Sequence, residues 1–217
     1  MKLGLLGGGF KPFTTGHYAK VLLALQTCDI VLIYYGLGGR KKNGSVITSS
    51  DSKKIYEIVG PAISSVHKNV RAIIGQPSPI KLMFAVIGAV KDGVDNKEAN
   101  LSALSIDPQQ ISEITIFSDP SDIQRFSQHI GTAKEALYFG DLVANARLKF
   151  VTDGKKAENA LASFCNLSIV QAEEMSTVRA SHVRNLCADG KLAEAARFLP
   201  DFLSSIEQEK ILDLLRN

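Results

Sequence analysis

Residues 5–26 read LLGGGFKPFTTGHYAKVLLALQ and gather glycines, a lysine and a histidine at one junction. Gly7, Gly8 and Gly9 let a chain turn sharply and let a ligand come close to the backbone. Lys11 adds a full positive charge. Thr14 or Thr15 can cap a helix that starts near Gly16, which places His17 in the first helical turn. The unbonded amides and the dipole of such a helix start favour an anion. His17 and Lys11 would bind the same anion, so the chemistry on offer is phosphate binding. No Gly-Lys-Ser/Thr follows the glycines, so the stretch is not a P-loop. Pro12 stands where the dinucleotide fingerprint needs glycine. A lone histidine in a first turn is usually structural or solvated, but here a glycine loop and a lysine precede it.

A second group of the same kind lies at 175–200, MSTVRASHVRNLCADGKLAEAARFLP. Ser181 sits where an N-cap would, with His182, Val183 and Arg184 in the turn that follows, and Gly190 ends the helix. Ser176, Thr177 and Arg179 add hydroxyls and a charge just upstream. Taken alone, this is as well read as a capped helix with solvated arginines.

The elements that must position these groups alternate. Apolar runs at 2–6, 29–36, 70–75, 113–119 and 167–173 read as strands. Helical patterns fill 16–27, 51–60, 79–91 and 121–130, and more helix follows the fifth strand. This order predicts an α/β fold: a doubly wound parallel sheet of about five strands, helices on both faces and a helical C-terminal tail. Ligands of such sheets bind beyond the carboxyl ends of the strands. Two cationic helix starts at that edge, one after the first strand and one after the last, would grip a polyphosphate from both sides. Segment 91–112 reads as a long loop, and 131–165 is the least readable.

Composition sets the frame. The chain has 217 residues, is 45% hydrophobic and 22% charged, and carries a net charge of +3. That is an ordinary globular balance, too weakly basic to argue for nucleic acid or a membrane surface. The longest apolar run, LMFAVIGAV at 82–90, is far short of the roughly 20 residues a bilayer needs. Cys28, Cys165 and Cys187 form no metal-like pair, which fits buried thiols in a reducing, cytoplasmic setting.

With both motifs in view, the sequence resembles the nucleotidylyltransferase superfamily. GGGFKPFTTGHY is similar to the signature G-x-F-x-P-x-[HT]-x-G-H in its threonine form, as in phosphopantetheine adenylyltransferases. VRASHVRN, with its helix-Gly-helix tail, resembles the second signature, I-S-x-T-x-[IV]-R. Ser181 takes the threonine position, Arg184 the final arginine, and Arg179 stands in place of serine. The basic loop Arg40, Lys41 and Lys42, the VIT at 46–48 and the FSDPSD at 117–122 are similar to phage and bacterial cytidylyltransferase-like proteins.

The resemblance spans roughly residues 3–200 and implies a Rossmann-like domain. Residues 201–217 would form a C-terminal helix packed on the core or on a partner subunit. It implies transfer of NMP from ATP or CTP to a phosphate-bearing small-molecule acceptor, with release of pyrophosphate and no covalent enzyme intermediate. Thr14, His17 and Lys11 would serve the α-phosphate, and Arg184 with Ser181 the β- and γ-phosphates. Gly7, Gly8, Gly9, Phe10 and Gly16 would lie against the nucleotide, with Ser176, Thr177, Arg179, His182 and Val183 at its far side. Asp119 would touch a ribose or the second substrate, and Arg40, Lys41 and Lys42 the acceptor's phosphate. Mg²⁺ would ride on the triphosphate, with no metal cage in the protein. The expected partners are the NTP and the acceptor, without nucleic acid or membrane, and a homo-oligomer stays open. The expected location is the cytoplasm, that of the host if the chain is phage-encoded. The alternative is a nucleotide-binding or structural module of the same fold without turnover.

Overall fold

The computed structural model describes residues 1–42, 45–75, 78–118 and 147–216. β1 (Lys2–Gly8), β2 (Ile30–Tyr35), β5 (Val70–Ile74), β6 (Glu113–Phe117) and β7 (Leu148–Val151) form one parallel sheet in the order β5-β2-β1-β6-β7. Strand order reverses between β1 and β6, so the crevice of this Rossmann-like sheet opens where the glycines of β1 end. A separate hairpin, β3 (Arg40–Lys42) with β4 (Ser45–Ile47), follows β2.

Alternation along the strands sorts side chains to two cores. Leu3, Leu5, Leu32 and Tyr34 face α3 (Pro79–Asp92) and the 99–111 loop. Leu6, Val31, Ile33 and Tyr35 face α1 (Thr15–Leu25), α2 (Ser49–Val66) and the C-terminal helices. The latter are α4 (Gly154–Cys165), α5 (Ile169–Ser176), α6 (Ala180–Ala188), α7 (Leu192–Ala196) and α8 (Ser205–Arg216). α8 buries Ile211, Leu212 and Leu215 against α2, β4, α6 and α7 of its own chain. Cys28 and Cys187 are buried, Cys165 is half-buried, and all three are free thiols.

Two expectations are corrected. Residues 167–173 are no strand: Ile169–Ser176 is helix α5, started by a capping box in which Ser168 N donates to Gln171 Oε1 at 3.1 Å. The fifth strand is instead β7, inside the segment that gave no clear pattern. α2 also outruns its expected end, because Pro61 lies on its exposed side, where water can serve the carbonyl that proline leaves unbonded. The helix expected at 121–130 lies outside the described residues. No described helix is long and apolar enough to cross a membrane.

Candidate active site

The start of α1 is built from hydrogen bonds that reach far along the chain. Thr14 is its N-cap, and the Thr14 amide donates to His17 Nδ1 at 3.0 Å. An accepting Nδ1 carries no proton, so the ring proton of His17 is on Nε2. Thr14 Oγ1 donates to Val178 O at 3.0 Å, and Thr15 Oγ1 donates to Met175 O at 2.7 Å. The Thr15 amide donates to Phe198 O at 2.9 Å. From the other side, the buried Arg184 guanidinium donates to Lys11 O. Each such bond is worth about 1 kcal/mol, and a charged donor about twice that. Together they fasten the two sequence motifs to one another.

Gly16 explains why the fit is so close. A Cβ there would stand 2.7 Å from both Ser176 O and Val178 O, so α1 can meet the 176–178 loop only without a side chain. Phe10 holds a left-handed φ of 42°. Its buried ring packs against Phe13, His17 and Tyr35, with centroids 4.9 Å from the His17 ring. Lys11 is buried, and its Nζ donates to Gly38 O at 2.5 Å beyond the end of β2.

In the second motif the N-cap of α6 is Arg179, two residues earlier than expected, so Ser181 lies inside the first turn. Arg179 is exposed. The hydroxyls of Ser176 and Thr177 donate to carbonyls at the end of α5: Ser176 to Glu173 O, Thr177 to Glu173 O and Glu174 O. Their protons therefore close that helix end and do not point to a ligand.

These elements surround a cleft of about 770 Å³, inside the usual range for small-ligand sites. Gly7, Gly8, Gly9, Phe10, Lys11, Gly16, His17, Ser176, Thr177, Arg179, Ser181 and Arg184 all line it. Thr14 does not: it is fully buried behind the wall and acts on the site through His17 and Val178. His182 is exposed, its ring edge-on to Phe198, and Val183 belongs to the core, so neither reaches the cleft. Asp119 lies outside the described residues. Among the described residues the lining holds the basic side chains Lys11, His17, Lys20, Arg179 and Arg184, against the carboxylates Asp153 and Glu158.

Lys20, Ser118, Asp153 and Glu158 escaped the sequence reading. Lys20 alone left a signal: it follows His17 by three positions and shares its helix face. A second cleft of about 720 Å³ adjoins the first through Gly36, Gly38, Ser78 and Pro79. Its far wall is Ser49, Ser50 and Lys53 at the start of α2, while Lys41 of the hairpin is exposed. Among the described residues no group of three or more His, Cys, Asp or Glu is placed to hold a metal.

No protein-family model matches the chain, and no curated protein matches it. Among solved structures, one described as "a Putative Nicotinate-nucleotide Adenylyltransferase from Vibrio parahaemolyticus" superposes with a TM-score of 0.49 at 13% identity. The match covers 97% of this chain and 98% of that one. A likeness at that level carries no argument about chemistry, which rests on the residues of the cleft.

Proposed function

We propose that the chain is a nucleotidylyltransferase that moves NMP from an NTP to a phosphate-bearing small molecule and releases pyrophosphate. The observation that carries this reading is the fastening of the TTGH turn to the loop before α6, which puts His17, Lys11, Arg184 and the start of α6 around one cleft.

In this reading an acceptor phosphate oxygen attacks the α-phosphorus, and the bond to the bridging oxygen of pyrophosphate breaks. His17 Nε2–H donates to an α-phosphate oxygen as negative charge builds, in a geometry fixed beforehand by the Thr14 amide. Lys11 adds charge on the same side. Arg184, with the amides of Ala180 and Ser181 at the start of α6, receives the β- and γ-phosphates and the departing pyrophosphate. Gly8 and Gly9 leave the nucleotide room against the backbone. Thr14 is a positioning residue here, not a phosphate ligand. Mg²⁺ carried on the triphosphate would offset part of its charge. The acceptor would occupy the adjoining cleft, its phosphate near Ser49, Ser50 and Lys53.

The measurement is pyrophosphate release from MgATP or MgCTP over a panel of phosphorylated metabolites. His17→Ala should lower turnover at least a hundredfold while leaving the thermal midpoint within a few degrees. A variant with undiminished turnover would overturn the mechanism. One observation favours a second reading, a nucleotide-binding module without turnover: Lys11 and Arg184 each serve a backbone carbonyl. Tight MgNTP binding with no pyrophosphate from any acceptor would establish that reading instead.

A further inference from the structure

The end of the cleft beyond β6 and β7 is unlike its phosphate end. Its wall is apolar, formed by Phe117, Val151, Leu23 on α1 and Ala157 on α4. Its polar side chains are Ser118, Thr152, the exposed Asp153 and Glu158, and two of these carry polar atoms buried from water. Ser118 Oγ is buried and has no hydrogen-bond partner among the described residues. Glu158, only 8% exposed, lies one turn into α4. Its Oε2 pairs with the exposed Lys155 ammonium at 2.8 Å. Burying a hydroxyl with open hydrogen-bonding capacity costs stability unless a ligand completes it. The proposed reaction gives neither group a role.

We infer that this end of the cleft holds the nucleobase and that Glu158 is a specificity-determining residue, accepting a hydrogen bond from an exocyclic amino group. The inference rests on the proposed nucleotidyl transfer. Apolar walls suit the faces of a flat ring, and Glu158 suits its polar edge. Paired with Lys155, Glu158 can only accept, whereas the Ser118 hydroxyl can donate. Adenine and cytosine both place an amino donor beside an unprotonated ring nitrogen. Hypoxanthine and uracil reverse that order and would set a carbonyl oxygen against the carboxylate. The preference is therefore for amino-bearing bases, purine or pyrimidine, over their oxo counterparts.

Affinities of MgATP, MgITP, MgCTP and MgUTP, measured by calorimetry on the full chain, test this directly. Each pair differs chiefly by amino against oxo. The wild type should prefer ATP to ITP and CTP to UTP by about tenfold or more. Glu158→Gln keeps the shape but adds a donor, and both ratios should shrink to within about threefold. Ser118→Ala, a smaller change that keeps the fold should Glu158→Gln lose it, should narrow the same ratios. Equal affinities in the wild type, a preference for ITP or UTP, or ratios unmoved by either variant would overturn the assignment. If the wild type binds no triphosphate at all, the nucleotidyl-transfer reading falls and takes this inference with it. Binding without discrimination refutes the base assignment alone.

Discussion

Replacing Gly16 with alanine probes the join between the two motifs with a single methyl group. The added Cβ would sit 2.7 Å from two carbonyl oxygens, where ordinary contact begins near 3.4 Å, so the surfaces must part by 3.4 − 2.7 = 0.7 Å. Neither neighbour is a flexible side-chain end; both are backbone atoms of the 176–178 loop. That loop is also held by the Thr14 and Thr15 hydroxyls at 3.0 and 2.7 Å. Parting them lengthens both bonds, at about 1 kcal/mol each, and overpacking alone typically costs ~1–3 kcal/mol. Alanine returns at most about 1 kcal/mol of helix propensity. A net loss of about 2–4 kcal/mol is expected, a fall in Tm of roughly 4–16 °C for a chain this size. Because the same shift separates His17 from the start of α6, MgNTP affinity should fall by tenfold or more. Urea melts and calorimetry of wild type and Gly16→Ala give both numbers. Unchanged stability with unchanged affinity would refute the claim that close approach, rather than a phosphate contact, is why glycine stands here.

Other expected outcomes follow from the same bonds. Thr14→Val removes the hydroxyl bond to Val178 but keeps the amide that holds His17; it should cost about 1–2 kcal/mol in a urea melt and reduce kcat less than His17→Ala does. Arg184→Lys loses the planar donor to Lys11 O and should weaken MgNTP binding about tenfold in a titration, even though the charge remains. Tyr18→Phe strips the buried His67 Nε2 of its 2.9 Å partner, which should cost about 1–3 kcal/mol by denaturant melt. Burial lowers the His67 pKa below its ordinary 6.5, with Asp201 opposing. The unfolded chain therefore takes up that proton first, and stability present above pH 6.5 is lost as pH falls below it. A Tm series from pH 8 to 5 on wild type and His67→Gln should show a smaller acid loss in the variant.

The sequence exposed most of the sheet because β1, β2 and β6 bury apolar residues on both faces, as strands with helices on either side must. It misplaced the fifth strand for the converse reason. β7 is an edge strand whose Lys149 points outward to pair with Glu113, so its pattern is diluted. SIVQ at 168–171 has the residues of a strand, yet Val170 is 77% exposed and the Ser–Gln capping box makes it helical. The Ser-x-x-Gln spacing was the available sign. At the site, charge and spacing located Lys11, His17 and Arg184. They could not reveal that Thr14 spends its hydroxyl on Val178 O or that Glu158 closes the far end of the cleft. Those facts depend on contacts between elements some 160 residues apart.

That separation also sets when the site comes into being. A nascent chain that has made β1, α1 and the first four strands of the sheet has His17 in hand, but nothing opposite Thr14, Thr15 and Gly16. The partners Met175, Val178, Arg184 and Phe198 follow 160 residues or more behind the residues they meet. Closing so long a loop is an entropically costly, late step. The cleft should thus form all at once, when residues 175–198 reach the start of α1, and a chain that stops short of them would have no partial version of it.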